Sequence, residues 1–297
     1  YLNTLVSAFW ESIDSLSAEQ IGKIATVLKP VFSAQLEDTE ESRDYYKWAR
    51  SSATRFAEKA FDRNIEKKAD RITADEASAV LDLILILCRD TDPTVEYEEK
   101  EDDNMDPSSL SINSVRGQAM HALIHAMVWD NRNKVDTEFM DKVFTELDWH
   151  LVENNDSSHA IRSVYGWYFS TIWGTRGDWA MANKEKIFSD DRLGQTAADA
   201  YTSYSRVHPD AIELLGSVFE RQIPRLASKP DEKKRGIALE GLKHLVQHLS
   251  LHYWYGHIDL AADSLMTQML EASHTKYLSE IINFIGFRLY KADENKL

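Results

Sequence analysis

Residues 114–129 read SVRGQAMHALIHAMVW, and their pattern decides the fold class. A basic residue, Arg116, stands near the start, small residues fill the first turns, and an apolar stripe runs on to Trp129. That is a helix with one face built for close approach to a neighbour and another for burial. Three further stretches repeat the arrangement: AIRSVYGWYFSTIW (160–173), KRGIALEGLKHLVQHL (234–249) and KYLSEIINFIGFRLY (276–290). Arg116 and Arg162 lie 46 residues apart and Arg235 and Lys276 lie 41 apart, which suits a two-helix repeat of roughly 40–47 residues. The interval from Arg162 to Arg235, 73 residues, implies one longer or irregular unit.

Outward from these stretches, helix signals continue along the chain. Ser17 with Gln20 and Thr73 with Glu76 fit capping boxes, each ahead of an apolar-periodic run. Helices are expected over 3–15, 17–29, 40–66, 73–89, 111–130, 136–153, 157–174, 178–188, 195–206, 209–227, 230–254, 257–272 and 275–291. The apolar run Val80–Cys88 carries a capped start that favours helix over strand. Eleven glycines and six prolines in 297 residues leave few of the turns an all-β chain needs. The fold expected is all-α, an α-solenoid of stacked antiparallel helix pairs of HEAT or armadillo type. It divides into an N-terminal helical section (1–89), an acidic flexible loop (90–110) and a helical-repeat array (111–297). The loop assignment rests on DTDPTVEYEEKEDDNMDPSS (90–109), whose dense acidic charge and two prolines read as an exposed, mobile segment.

Composition excludes several functions. With 34 Lys and Arg against 49 Asp and Glu, the net charge of −15 repels nucleic-acid phosphates and anionic lipid headgroups. Neither class of partner is expected. Cys88 is the single cysteine, so there is no intrachain disulfide and no Cys-based zinc site, as befits a reducing compartment; a cytoplasmic location is the default. No run of apolar residues approaches a membrane span. The amino terminus lacks an initiator Met and a basic signal-peptide start, so the chain is expected to be part of a larger multidomain protein.

The patterns SINSVRGQAMHALI, LVQHLSLHYWYGHIDL and SEIINFIGFRLY resemble the helical-repeat regions towards the carboxyl end of bacterial STAND-type nucleotide-binding defence proteins. The resemblance covers about the last 190 residues of the 297 and implies a target-sensing region. It transfers no functional residue.

Chemistry-bearing residues are sparse. His244, His248 and His252 follow i, i+4, i+8 spacing on one predicted helix, with His257 beyond a Gly256 break. Imidazoles at i, i+4 can share a metal, but no HExxH motif is present and no carboxylate lies within the triplet to act as a base. The apolar stripe of Leu242, Leu245, Val246, Leu249 and Tyr253 places the histidines on a flank, solvated or lining a groove. His121 and His125 make a similar pair. Aromatic residues are dense at Tyr165, Trp167, Tyr168, Trp173 and Trp179 and again at Tyr253, Trp254 and Tyr255. Trp254 and Tyr255, off the stripe, are the better binding candidates. No phosphate-binding loop, dinucleotide fingerprint or nucleophile elbow occurs. The function expected is therefore a protein-interaction or target-sensing helical-repeat module. It is not an enzyme and takes no cofactor, and it uses His244, His248, His252, Trp254 and Tyr255 on a basic or mixed-charge protein partner. The alternative is an all-helical metal-dependent enzyme using the His cluster.

Overall fold

The computed structural model describes residues 1–33, 40–65, 72–101, 105–134, 137–229 and 237–294. Among them are fifteen α-helices, two 3-10 segments and no strand. Contacts divide the chain into two compact units, one made largely of residues 1–164 and the other largely of 165–297.

The first unit holds α1 (Leu2–Glu11), α2 (Ala18–Ser33), α3 (Glu40–Ile65), α4 (Ala74–Leu87), α5 (Val95–Glu101), α6 (Pro107–Asn113), α7 (Val115–Asn133), α8 (Thr137–His150) and the start of α9 (His159–Thr175). Both expected capping boxes form. Gln20 N–H donates to Ser17 Oγ while Ser17 N–H donates to the Gln20 side chain, and Thr73 N–H donates to Glu76 Oε2 at 2.6 Å. The helix α2 runs past Pro30, whose missing N–H falls near the helix end, and buried Phe32 holds the last turn in place.

Non-consecutive helices lie side by side: α3 against α1 and α7, and α2 against α4. On α3, Ala49, Ala53, Ala57 and Ala60 are buried at helical spacing, so neighbouring backbones can come close. The α7 helix, from the opening stretch of the sequence, is buried almost all round, and Trp129 packs at 5.7 Å from both Phe61 and Phe139. Truncating such a fully buried indole costs about 3–5 kcal/mol.

The acidic segment corrects an expectation. Residues 95–101 and 107–110, read as loop, are helical: they form α5 and the start of α6. Its carboxylates have distant partners that composition does not reveal. Asp92 Oδ2 accepts the Val115 N–H at 2.9 Å and the Asp92 carbonyl accepts the Arg116 N–H at 2.8 Å, both at the first turn of α7. Ser158 Oγ and the His159 N–H (2.7 Å) donate to Glu98 at the start of α9. Two helix N-termini, each carrying unpaired N–H groups and partial positive charge, are thus capped from one acidic strand of chain.

The second unit holds the rest of α9 with α10 (Gly177–Ile187), α11 (Arg192–Tyr204), α12 (Ala211–Gln222), α13 (Ile237–Trp254), α14 (Leu265–Ala272) and α15 (Thr275–Glu294). Here too alternate helices stack, α11 on α13 and α13 on α15. Glycine permits close approach at two places, between α9 and α11 and between α11 and α13. A Cβ on Gly166 would stand 1.9 Å from the Ala197 carbonyl oxygen, and one on Gly241 would stand 2.7 Å from Asp199 Cβ. Thr202 Oγ1 donates to the Gly241 carbonyl at 2.9 Å across the α11 and α13 seam. Phe169, Phe188, Tyr201 and Phe219 form the aromatic centre, with Phe169 edge-on to Phe188 at 4.9 Å. Arg235, one of the basic residues that define the repeat, lies outside the described residues.

The expected helix over 257–272 begins only at Leu265. Gly256, at φ +75°, ends α13 in a Schellman motif, with His257 N–H donating to the His252 carbonyl at 2.8 Å and Gly256 N–H to the Tyr253 carbonyl at 3.0 Å. Asp259 then turns the chain by accepting the Ala261 N–H, and Ser264 restarts it by accepting the Thr267 N–H at 3.2 Å.

Candidate functional site

The end of α13 carries the residues singled out from the sequence, and the structure distributes them differently. Tyr253, expected on the buried stripe, is 37 % exposed; Trp254 is 42 % and Tyr255 55 % exposed. Tyr253 and Trp254 belong to the last turn of α13 and Tyr255 follows them, just before the positive-φ Gly256 that ends the helix. The histidines, expected on a flank, sit deeper than that: His248 and His252 are buried and His244 is half-buried. His248 donates to the Ser205 backbone and stands edge-on to Tyr201 at 6.1 Å. His252 Nδ1 meets His257 Nδ1 at 3.1 Å, one donating to the other.

Burial governs their charge. It pulls His248 down to about 4, reinforced by His252 and His244, and it pulls His252 down to about 4, reinforced by His257. His244 is lowered as well, again by burial, with Glu240 opposing. These imidazoles are neutral near pH 7. They do not join one another or a carboxylate in any group of three ligand atoms within 4.8 Å among the described residues. Beside them, a shallow groove is lined by Ile212, His257, Ile258, Asp259, Asp263 and Leu265. Its two carboxylates and the neighbouring exposed aromatics make a surface suited to a cation-bearing, partly apolar ligand.

The other aromatic group is more enclosed. Tyr165 is fully buried, while Trp167 lies flat on Tyr204 at 3.7 Å and 3°, and Trp173 is edge-on to His208.

Sequence reasoning missed a buried ionic network in the first unit. Arg89 grips Glu146 in bidentate fashion, at 2.6 and 2.8 Å, with its guanidinium 3.4 Å above the Trp149 ring. Glu146 also receives His150 Nε2 at 3.1 Å, and His150 Nδ1 pairs with Asp156 at 2.7 Å. Arg116 lies 3.7 Å from Asp156 and donates to the Pro93 carbonyl at 2.6 Å. Arg50 and Lys47 hold Asp90 and Asp92 in turn. Burial depresses His150, but hydrogen bonds and charge from Asp156 and Glu146 outweigh it and leave its pKa raised. Cys88, Glu146 and His150 offer three ligand atoms within 4.8 Å of one another, yet Glu146 is already taken up by Arg89, and burial with the Glu146 charge drives the Cys88 thiol well above its ordinary range. These side chains are already engaged with one another inside the first unit.

A second set of three stands nearer water. Glu58 and Asp62, one turn apart on α3, face His125 on α7, with His125 Nδ1 2.9 Å from Asp62 Oδ1 and 3.8 Å from Glu58 Oε1. Its partner in the sequence reading, His121, is turned elsewhere, buried against Ser111 Oγ at 2.9 Å, and burial followed by the charge of His125 lowers it to about 3. The i, i+4 carboxylates were visible on the predicted helix over 40–66. That α7 brings an imidazole to them was not.

No helix among the described residues is long and apolar enough to cross a membrane. Comparison with family models, with curated proteins and with solved structures gave no match.

Proposed function

We propose that the chain is a recognition module, an α-solenoid of HEAT or armadillo kind that binds a basic or mixed-charge protein surface in the cytoplasm. The observation that carries this is the run Tyr253-Trp254-Tyr255, exposed at the capped end of α13 beside a groove bearing Asp259 and Asp263. Large amphipathic rings held on a capped helix end lose little side-chain freedom on binding, which is why such residues dominate interface energetics. The net charge of −15 steers a cationic partner inward. The side-by-side stacking of α11, α13 and α15 is the arrangement a helical-repeat array would extend, and the resemblance to STAND-type sensing regions points the same way.

The test is capture of partners by the wild-type chain, by Trp254→Ala and by Tyr255→Ala. The reading expects basic proteins recovered by the wild type, released by raised salt, and lost from either variant by a factor of about ten or more, equivalent to a hot spot of at least about 1.4 kcal/mol. Equal recovery by all three would remove this surface from consideration.

A further inference from the structure

We infer that Glu58, Asp62 and His125 form a binding site for a divalent transition-metal ion, with zinc as the ion that fits. The ligand set is one imidazole and two carboxylates, all three offering donor atoms within 4.8 Å of one another. A four-coordinate ion with ligands at about 2.1 Å places its donor atoms about 3.4 Å apart. The observed separations from His125 Nδ1, 2.9 Å to Asp62 and 3.8 Å to Glu58, bracket that value, and the Asp62 and Glu58 donor atoms lie within 4.8 Å, so side-chain rotation closes the set without moving either helix.

The scaffold is suited to hold it. Glu58 and Asp62 stand at i, i+4 on α3, which presents them on one face, and α3 packs along α7, which carries His125. Donors drawn from two packed helices are held more rigidly than donors on a loop. The side chains are 19 %, 33 % and 50 % exposed for His125, Glu58 and Asp62, leaving the outward coordination position to water or to a side chain from a partner. Calcium and magnesium are poor matches, because they seek six or more oxygen ligands and gain little from an imidazole. Arg55 and Lys59, the nearby cations on the same helix, rest over the Trp10 ring at 5.8 and 5.7 Å.

Isothermal titration of the whole chain with zinc chloride, after treatment with chelator, tests this. The expected result is saturable binding of one equivalent that survives excess magnesium. It should weaken more than about tenfold in both Asp62→Asn and His125→Gln, since even partners outside the coordination shell are worth 10–100-fold. His208→Gln alters an exposed His–Asp pair elsewhere, 3.5 Å from Asp210, and should leave the isotherm unchanged. X-ray absorption at the zinc edge should show one imidazole among oxygen ligands. If His125→Gln lowers helical content, Glu58→Gln takes its place and should weaken binding to the same degree. Absence of a one-equivalent site, or a site that persists in folded Asp62→Asn and Glu58→Gln chains, overturns the inference.

Discussion

His150 is buried with a carboxylate on either ring nitrogen, Glu146 at 3.1 Å and Asp156 at 2.7 Å. Removing the ring leaves those carboxylates inside the fold, Glu146 with Arg89 and Asp156 with Arg116 and the Ser158 N–H. Breaking a buried ion network in this way costs about 3–5 kcal/mol, far more than the net worth of the intact network. His150→Ala should therefore lower the unfolding free energy of the first unit by that amount, read from the shift of its urea midpoint at unchanged slope; a loss under about 1 kcal/mol would contradict the burial of this network. The spacing of Glu146 and His150 is plain in the sequence, but the groups around them come from the turn after α4, from α7 and from the α8 to α9 turn, and no local pattern announces that. The same holds for His125, whose partners sit on α3.

Helix identity follows from local chemistry, and here the sequence was informative. The capping boxes at Ser17 and Thr73 form as read, because a hydroxyl and a carboxamide or carboxylate three residues apart satisfy each other's backbone without outside help. The acidic segment shows where that legibility ends. Its composition reads as solvated, yet Asp92 and Glu98 serve the N-termini of α7 and α9, and which N–H groups they would find is decided by tertiary packing. Asp92→Ala and Glu98→Ala should each cost about 1–2 kcal/mol, the range of a lost N-cap with its dipole contribution. Amide hydrogen exchange localises the effect: Val115 should speed up about tenfold or more in the first variant and His159 in the second, with distant amides unchanged. Gly256 is likewise readable as a helix stop, whereas the exposure of Tyr253 is not, since its spacing puts it on the apolar stripe and only the packing of the helix end decides what covers it.

For the second unit as a whole, pH should matter through its buried histidines. His248 has its folded pKa lowered to about 4 from 6.5, so its contribution is present above pH 6.5 and is lost as pH falls towards 4. Asp199, held by Arg225 at 2.8 and 2.9 Å but raised by burial to about 6, acts in the opposite sense, its contribution being present below its unfolded value and lost as pH rises through about 6. Between pH 4 and 6 the two therefore oppose each other. His252 and His244, both lowered, tip the balance toward acid sensitivity. Denaturation midpoints of the second unit should fall between pH 6.5 and 4, and His248→Gln, which retains a donor for the Ser205 carbonyl, should flatten the slope; a midpoint that rises on acidification would contradict the burial of these rings. The first unit holds a different kind of reporter. Cys88, the chain's single thiol, is wholly enclosed and strongly resistant to ionisation, so alkylating reagents can reach it only when that unit opens. The rate of covalent labelling then counts opening events of one half of the molecule, without engineering and without signal from the other half.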